Sequence, residues 1–589
     1  MIGIRRRLTG AGAVTNQSGV QLLGPQQRAD AWRRLATEQF DVVVIGGGVV
    51  GAGAALDAAT RGLRVALVEA RDFASGTSSR SSKMFHGGLR YLEQLEFGLV
   101  REALRERELA LTTLAPHLVR PLKFLFPLTH RVWERPYVAA GIFLYDRLGG
   151  AKSVPAQKHL TRSGALRMVP GLKRNSLVGG IRYYDTVVDD ARHTMTVART
   201  AAHYGAVVRT STQVVGFLRE ADRVSGVRVR DSEDGSVTEV RAHAVINATG
   251  VWTDEIQSLS RQRGPFRVRA SKGVHIVVPR DRIVSDSAII LRTEKSVLFV
   301  IPWGNHWIIG TTDTDWNLDL AHPAATKADI DYILDHVNRV LVVPLTHDDI
   351  DGVYAGLRPL LAGESDETSK LSREHAVARV APGLVAIAGG KYTTYRVMAE
   401  DAVDLAAEDI PARIASSITE KVPLVGADGY FALVNQTMHL AEQYGLHPYR
   451  VKHLLDRYGS LVEDVLSLAK GRPELLEPLT DAPQYLQVEM VYGAAAEGAL
   501  HLEDLLARRT RISIEYPHRG LHCAEQTARL VAPVLGWDDA TIDREVATYR
   551  ARVEAEIESQ NRPDDESADA LRAAAPEARP EILEPVPIT

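Results

Sequence analysis

The clearest hydrophobic pattern in the 589-residue chain lies in residues 40–70, FDVVVIGGGVVGAGAALDAATRGLRVALVEA. Val42 to Ile45 form a short continuous apolar run, which is typical of a buried parallel strand. A glycine cluster and an alanine-rich helical pattern follow, and a second apolar run from Val65 to Val68 ends at Glu69. This order predicts a complete βαβ unit.

The hydrophobic pattern changes several times after this unit. Residues 96–118 have the periodicity of an amphipathic helix. Residues 185–250 read as a helix and strands that end in the apolar run HAVINATG (243–250), and the alternation over 265–312 predicts antiparallel strands. Helical periodicity dominates 429–557. We expect the first domain to be discontinuous, with segments near 40–90, 185–250 and 380–400 meeting at one site.

These patterns predict four regions along the chain. Residues 1–36 are expected to form a flexible extension, in which a transit peptide and a plain bacterial tail are both open readings. An α/β domain follows over 37–425, with an interleaved cap at roughly 91–184 and 265–380. A helical domain is expected at 426–560, and the acidic, proline-containing tail 561–589 is expected to be disordered.

Composition removes several classes of function. The net charge of −4 gives no basic field for nucleic acid. The single cysteine, Cys523, excludes an internal disulfide framework, a cysteine-based zinc site and an iron–sulfur cluster, and we expect no metal. The longest apolar stretch beside charged residues, 136–145, is short of the roughly 20 residues that a membrane-spanning helix needs.

Gly46, Gly48 and Gly51 form a G-x-G-x-x-G motif between the first strand and the helix. The first glycine permits a tight turn, the second lets a pyrophosphate approach the backbone, and the third brings helix and strand together. The helix N-terminus would then face the phosphates. Glu69 lies 18 residues after Gly51, where an acid bonds a ribose hydroxyl. The unit therefore predicts a dinucleotide site.

Three later motifs favour FAD over NAD. GTSSRSS (76–82) follows the second strand and suits a phosphate–ribityl chain, and NATG (247–250) ends a later strand with a small turn. AIAGGKYTTYR (386–396) places a lysine and a helix N-terminus where they would stabilise an anionic reduced flavin. Each motif alone also fits an ordinary strand-to-helix turn; together they predict a flavin.

Eight segments then carry a family resemblance: GGGVVGAG, TSSRSSKMFHGGLRYLE, VDDAR, NATG, SKGVHIVVP, WIIGTTDTD, GLRPLL and GGKYTTYR. In order and spacing they resemble the FAD-dependent sn-glycerol-3-phosphate dehydrogenases of bacteria and mitochondria, over about 37–400 and more loosely through LEDLLARRTRI (502–512). The resemblance implies an α/β FAD-binding domain of the glutathione-reductase or amine-oxidase type, a mixed-sheet substrate cap domain and an all-α C-terminal domain. It also implies oxidation of glycerol 3-phosphate to dihydroxyacetone phosphate, with electrons passed to a membrane quinone.

The fingerprint and the resemblance together give a candidate cofactor site. Its predicted cofactor-binding residues are Gly46, Gly48, Gly51, Glu69, Ala70, Thr77, Ser78, Ser82, Lys83, His86, Gly87, Gly88, Val214, Thr249, Gly250, Gly390, Lys391 and Thr393. Within SSKMFHGGLRYLE (81–93), Ser82, Lys83 and the His86–Gly88 backbone are expected to line the flavin. A simple loop is the alternative reading of the two glycines.

The substrate that the resemblance implies needs cations for its phosphate. Arginine suits this group because its planar fork matches phosphate oxygens. Arg90 and Arg358 match the family's substrate-contacting arginines, and Tyr91 and Lys391 match positions beside substrate or flavin. We expect Arg358 to hold charge, since its pKa is too high for a proton acceptor.

The alcohol must also lose a proton, and His275 in SKGVHIVVP matches the family's active-site histidine. An ordinary pKa near 6.5 would suit a base at neutral pH. A structural histidine is the alternative reading, and Lys391 or His86 stay open as the proton acceptor. We expect His275, Arg358 and Lys391 to be catalytic, with His275 also binding substrate.

The segment VRPLKFLFPLTHRVWERPYVAAGIFLYDRL (119–148) interleaves aromatic and basic side chains, which suits an anionic lipid surface. The related family segment is thought to dip into the bilayer; a cap-domain core with solvated arginines is the alternative. The aromatic residues concerned are Phe124, Phe126, Trp133, Tyr137, Phe143 and Tyr145. We expect a homodimer on the inner face of the bacterial plasma membrane. An oxygen-using oxidase of glycerol 3-phosphate or of hydroxy or amino acids, and a non-enzymatic flavoprotein, are the rival functions.

Overall fold

The computed structural model describes residues 16–88, 96–130, 138, 141–142, 144–145, 153–260, 264, 266–293, 297–362 and 374–579. The strands in these residues are β1 Gln39–Ile45, β2 Val65–Val68, β3 Met84–Phe85, β4 Val119–Leu128, β5 Lys158–Thr161, β6 Gly179–Val188, β7 Val207–Arg209, β8 Thr212–Glu220, β9 Arg223–Asp231, β10 Val237–Asn247, β11 Val268–Pro279, β12 Ala288–Arg292, β13 Val297–Trp303, β14 His306–Gly310, β15 Thr314–Trp316, β16 Gly352–Leu361, β17 His375–Ala381, β18 Leu384–Gly389, β19 Pro478–Leu479 and β20 Ala482–Leu486. The α-helices are α1 Pro25–Thr37, α2 Val49–Thr60, α3 Phe97–Leu109, α4 Arg162–Met168, α5 Asp190–His203, α6 Thr253–Leu259, α7 Lys327–Asn338, α8 Tyr395–Ala407, α9 Tyr430–Asn435, α10 Thr437–Tyr444, α11 Pro448–Tyr458, α12 Val462–Ser467, α13 Gln487–Ala496, α14 Ile512–Glu515, α15 Ala524–Leu535, α16 Asp539–Ser559 and α17 Asp565–Ala574.

The first sheet has the strand order β17-β18-β10-β1-β2-β7, and β8 and β9 extend it from β10. The strands from β18 to β7 pair in parallel, with Val44 between Ile246 and Leu67. As the hydrophobic pattern predicts, segments near 40–90, 185–250 and 380–400 therefore meet in one sheet. Helices α2, α5 and α8 cover one face, where the alanines of α2 allow close packing.

The second sheet has the order β15-β11-β14-β13-β12-β4-β6-β3, with β16 beside β11 and β5 beside β6. Its pairs are antiparallel except β4 with β12, which makes the sheet mixed. It takes strands from both predicted cap segments. Helix α7 covers part of this sheet and begins with a capping box between Thr326 and Asp329.

The C-terminal domain is built on the two helical clusters of α9 to α16. It was predicted to be all helical, but β19 and β20 form a short hairpin within it. Of the described helices, none is long and apolar enough to span a bilayer.

Both chain ends correct the sequence predictions. In the N-terminal extension, α1 buries Ala31 and Leu35, so residues 25–36 are not a flexible tail. In the C-terminal tail, α17 buries Ala568, and Asp565 pairs with Lys272 of β11. The helix forms because Asp564 caps it by accepting from the Ser567 amide at 2.8 Å. Residues 1–15 and 580–589 lie outside the described part.

The predicted lipid-facing segment is also corrected where the structure describes it. Strand β4 lies between β6 and β12, and Phe124 and Phe126 are buried in the cap core. Tyr145 is buried as well and donates a hydrogen bond to Asp185 at 2.7 Å. For these three aromatics the alternative prediction, a place in the cap-domain core, is confirmed. Trp133, Tyr137 and Phe143 lie outside the described residues.

Candidate active site

A cavity of about 660 Å³ lies between the two sheets, at the carboxyl ends of the parallel strands. Open α/β sheets bind ligands at this edge. The cap closes the other side with residues of β11 and β16. Of the predicted site residues, those lining the cavity are Gly46, Gly48, Glu69, Ala70, Thr77, Ser78, Ser82, His86, Gly88, Val214, Thr249, Gly250, His275, Arg358, Gly390, Lys391 and Thr393.

The glycine motif forms the turn from β1 into α2. Gly46 has φ +108°, a conformation that favours glycine. Gly51 does not line the cavity; a Cβ there would lie 1.9 Å from the Gly46 carbonyl oxygen, so its role is the close packing of helix on turn. The Val49 amide donates to Ser78 Oγ at 2.9 Å, which ties the GTSSRSS segment to the N-terminus of α2.

Glu69 ends β2 at the cavity wall. Its carboxylate accepts from the Gly47 amide at 2.5 Å and from the Arg71 amide at 2.8 Å. Burial raises the pKa of this carboxyl above its ordinary value, against the effect of the two amides. The carboxylate is thus fixed beside the glycine turn, where a ribose hydroxyl would meet it.

Two residues of SSKMFHGG that were predicted to line the flavin, Lys83 and Gly87, do not line the cavity. Lys83 is fully buried, and its ammonium donates to Asp190 Oδ1 at 2.8 Å and to the Ser79 carbonyl at 3.0 Å. Gly87 donates its N–H to Tyr145 at 2.7 Å, and a Cβ there would overlap Leu104. Close approach does require this glycine, but the neighbour is the protein core. Arg90 and Tyr91 lie outside the described residues.

His275 projects from β11 into the cavity. Its Nε2 lies 2.9 Å from Ser82 Oγ, and its ring stacks on Tyr354 with 4.8 Å between centroids. Gly310, its neighbour on β14, leaves room for the ring, because a Cβ there would lie 2.4 Å from His275 Cδ2. Burial, and then the positive charges of Arg358 and Lys83, lower the pKa of His275 well below its ordinary value. The shift favours the neutral ring over the imidazolium.

Arg358 lies on β16 at the rim of the same cavity. Its Nη2 donates to Thr311 Oγ1 at 3.0 Å and to the Thr312 carbonyl at 3.2 Å. Gly273 on β11 clears space for the guanidinium, since a Cβ there would lie 2.6 Å from Nη2. Sequence reasoning did not single out Gly273 or Thr311 because only strand register brings them to the arginine.

Lys391 lies at the cavity wall where β18 ends and α8 approaches. The preceding Gly389 and Gly390 both have positive φ, +77° and +76°. Thr393 accepts from the His86 amide at 3.2 Å, so the two glycine-containing motifs predicted to meet do contact each other.

Comparison with known proteins identifies the family. A model of FAD-dependent oxidoreductases matches residues 41–404, and a model of the C-terminal domain of alpha-glycerophosphate oxidase matches 417–542. Glycerol-3-phosphate dehydrogenase 2 of Mycobacterium tuberculosis is 81% identical over 566 residues, covering 96% of this chain and 97% of the relative. The chain belongs to the FAD-dependent glycerol-3-phosphate dehydrogenase family. The resemblance stated from the motifs is thus confirmed.

More distant members of the family agree with this assignment. The human mitochondrial glycerol-3-phosphate dehydrogenase is 35% identical over 548 residues, which cover 89% of this chain and 75% of the relative. The crystal structure of glycerol-3-phosphate dehydrogenase from Bacillus halodurans complexed with FAD is 29% identical, with a TM-score of 0.75 over 90% of this chain and 98% of that one. The predicted fold class and the FAD cofactor are both confirmed.

The cavity's own residues fit FAD. The α2 N-terminus and Ser78 would hold the pyrophosphate, and Glu69 would bond the adenosine ribose. Ser82, His275 and Lys391 also line the cavity and would then face the isoalloxazine.

Proposed function

We propose that this chain oxidises sn-glycerol 3-phosphate to dihydroxyacetone phosphate, with hydride transfer from C2 to N5 of FAD. The observation that carries this proposal is one cavity that contains the dinucleotide turn, the Arg358 guanidinium and the His275–Ser82 pair. When bound, FAD supplies the acceptor for two electrons. The substrate side falls to the residues of the cap.

Arg358 holds the substrate phosphate in this proposal. Two of its hydrogen bonds go to the Thr311 and Thr312 segment, which fixes the orientation of the guanidinium before substrate arrives. A rigid planar cation binds a phosphate dianion through paired, charge-assisted hydrogen bonds. Arg358 in this way sets the distance between the phosphate and the reacting carbon.

His275 takes the proton of the substrate hydroxyl through Ser82. In the Nδ1–H tautomer, Nε2 accepts from Ser82 Oγ, and Ser82 can take the substrate proton as it passes its own to Nε2. The neutral ring that burial enforces is the form able to accept a proton.

We also propose that the electrons pass to a membrane quinone and that the chain is a homodimer at the inner face of the plasma membrane. The support is the family to which the chain belongs. The described aromatics Phe124, Phe126 and Tyr145 take no part in lipid contact because they are buried. Oxygen is the second candidate acceptor, favoured by the match of residues 417–542 to a model named for a glycerophosphate oxidase.

The test is turnover of the purified FAD-loaded protein with glycerol 3-phosphate and a soluble quinone analogue. We expect dihydroxyacetone phosphate and reduced quinone in equal amounts, and little hydrogen peroxide under air. Peroxide equal to product under air, with no quinone reduction, would reject the quinone and leave an oxidase. Glycerol, which lacks the phosphate, is the matched control substrate and should not turn over.

A further inference from the structure

The side chain of Lys83 points away from the cavity, although its neighbour Ser82 lines it. Lys83 has φ +55°, in the left-handed region that side-chain-bearing residues rarely adopt. This conformation sends the Lys83 side chain into the core and leaves Ser82 Oγ at 2.9 Å from His275 Nε2. Surrounding contacts must hold such a turn in place.

Asp190, the first residue of α5, makes most of those contacts. Its Oδ2 accepts from both the amide and the hydroxyl of Ser81, at 2.9 and 2.7 Å. Its Oδ1 accepts from Lys83 Nζ at 2.8 Å. Ser81 is fixed further by Tyr354, whose hydroxyl donates to the Ser81 carbonyl at 2.9 Å and whose ring stacks on His275.

Arg511 brings the C-terminal domain to the same carboxylate. Its Nη2 donates to Asp190 Oδ1 and, at 2.8 Å, to Asp189 Oδ1, and its Nη1 lies 3.3 Å from the Ser79 carbonyl. The guanidinium is buried, with 3% of its side chain exposed. Lys83 and Arg511, with Arg457 at 3.6 Å from Asp189 Oδ2, offset the two adjacent carboxylates, which would otherwise repel each other in a dry interior.

We infer that Arg511 is a positioning residue for the oxidation: it acts through Asp190 on the Ser81–Lys83 turn and thereby sets the Ser82–His275 hydrogen bond. This inference rests on the proposed function and assigns a task to the C-terminal helical domain. Through Arg511 that domain reaches the Ser81–Lys83 turn, although none of its residues lines the described cavity wall.

Arg192 provides a matched comparison. It is also buried and joins α5 to the C-terminal domain, through two hydrogen bonds to Glu497 at 2.8 and 3.0 Å. Its side chain bonds neither Ser81 nor Lys83 among the described contacts. Loss of domain docking alone should affect the two arginines alike, whereas a positioning role should separate them.

The first readout is hydrogen exchange, measured by mass spectrometry on the FAD-loaded full chain without substrate. The amides of Ser81 and Lys83 are both hydrogen-bonded, to Asp190 and to Ser81 Oγ. We expect Arg511→Lys to speed hydrogen exchange in the peptide 79–85, because a lysine ammonium cannot replace the planar guanidinium that bonds both Asp189 and Asp190. Arg192→Lys should leave that peptide unchanged. Unchanged exchange in Arg511→Lys would overturn the inference even if glycerol 3-phosphate proves not to be the substrate.

The second readout is the rate of flavin reduction by glycerol 3-phosphate in single turnover. Arg511→Lys should slow it by roughly 10- to 100-fold with little change in substrate affinity, as small misplacements of reacting groups do. The loss should nearly vanish when Ser82→Ala is already present, because both changes act on one hydrogen bond. The inference would be contradicted if the rate losses of Arg511→Lys and Ser82→Ala were fully additive, or if Arg192→Lys lost as much rate as Arg511→Lys. Should Arg511→Lys fail to fold, Lys83→Met must show the same exchange and rate changes.

Discussion

The substitution Gly273→Ala tests whether the Arg358 guanidinium binds the substrate phosphate, without changing Arg358 itself. A Cβ at this position would lie 2.6 Å from Arg358 Nη2, 2.6 Å from Thr311 Oγ1 and 2.9 Å from Arg358 Cζ. Ordinary contact starts at 3.4 Å, so the guanidinium must retreat by about 0.8 Å and loosen its bonds to the 311–312 segment.

The expected magnitude follows from that displacement. A misplacement approaching 1 Å in a positioning group costs up to about 100-fold in rate, so we expect kcat/KM for glycerol 3-phosphate to fall roughly 10- to 100-fold. Stability should fall by only about 1 kcal/mol, at the low end for overpacking, because two of the three crowded atoms lie at the end of the long Arg358 side chain, which can move. Arg358→Ala should give the largest fall in kcat/KM, because it removes charged hydrogen bonds to the phosphate that contribute about 3 kcal/mol.

The assay compares flavin content, melting temperature and flavin-reduction kinetics of the variant and the parent. Gly98→Ala is the control, since a Cβ there meets nothing within 4 Å and the residue lies in α3. Gly273→Ala should retain FAD while both substrate affinity and reduction rate fall, and Gly98→Ala should match the parent. A Gly273→Ala enzyme with an unchanged kcat/KM would refute the role of Arg358 in holding the phosphate.

Three further results are expected. Gly51→Ala should abolish FAD binding, because its Cβ would lie 1.9 Å from a backbone oxygen of the cofactor turn; the ratio of visible to ultraviolet absorbance measures this, and a fully yellow variant would contradict it. Burial lowers the pKa of His117 and of His193 to about 3, so the unfolded chain binds more protons than the folded chain as the pH falls through 6.5, and each imidazole lowers the free energy of unfolding by about 1 kcal/mol between pH 7.5 and 5.5. Contacts with two glutamates raise the pKa of His501 to about 9 despite its burial, and this opposite shift offsets about one of those two losses. Melting temperatures measured from pH 7.5 to 5.5 should therefore fall, and a rise would contradict this reasoning. Arg579→Met should lower the free energy of unfolding by about 3 kcal/mol in denaturant titration, because it breaks a buried pair with a carboxylate at 2.9 Å; an unchanged midpoint would mean that the C-terminal segment is not docked.

Local spacing was enough to predict the dinucleotide turn. Gly46, Gly48 and Glu69 belong to one short βαβ unit, whose geometry follows from strand, turn and helix without long-range information. The parallel core and the cap could be predicted in the same way from apolar runs and alternation. The family motifs placed His275 and Arg358 in one site before any register was known.

Side-chain direction and long-range pairing could not be predicted. Lys83 adjoins Ser82, yet a single left-handed residue sends its side chain to Asp190, and nothing local indicates that partner. Phe124 and Phe126 would suit a lipid surface or a core equally well, and only their central strand decides. The tail was misjudged because composition says nothing of a docking partner such as Lys272.

The most direct test of the account is anaerobic mixing of the yellow FAD-loaded protein with glycerol 3-phosphate while the visible flavin absorbance is followed. We expect rapid bleaching, with one dihydroxyacetone phosphate formed per flavin, and no bleaching with glycerol. A protein that carries FAD and stays yellow with saturating glycerol 3-phosphate would contradict the proposed function.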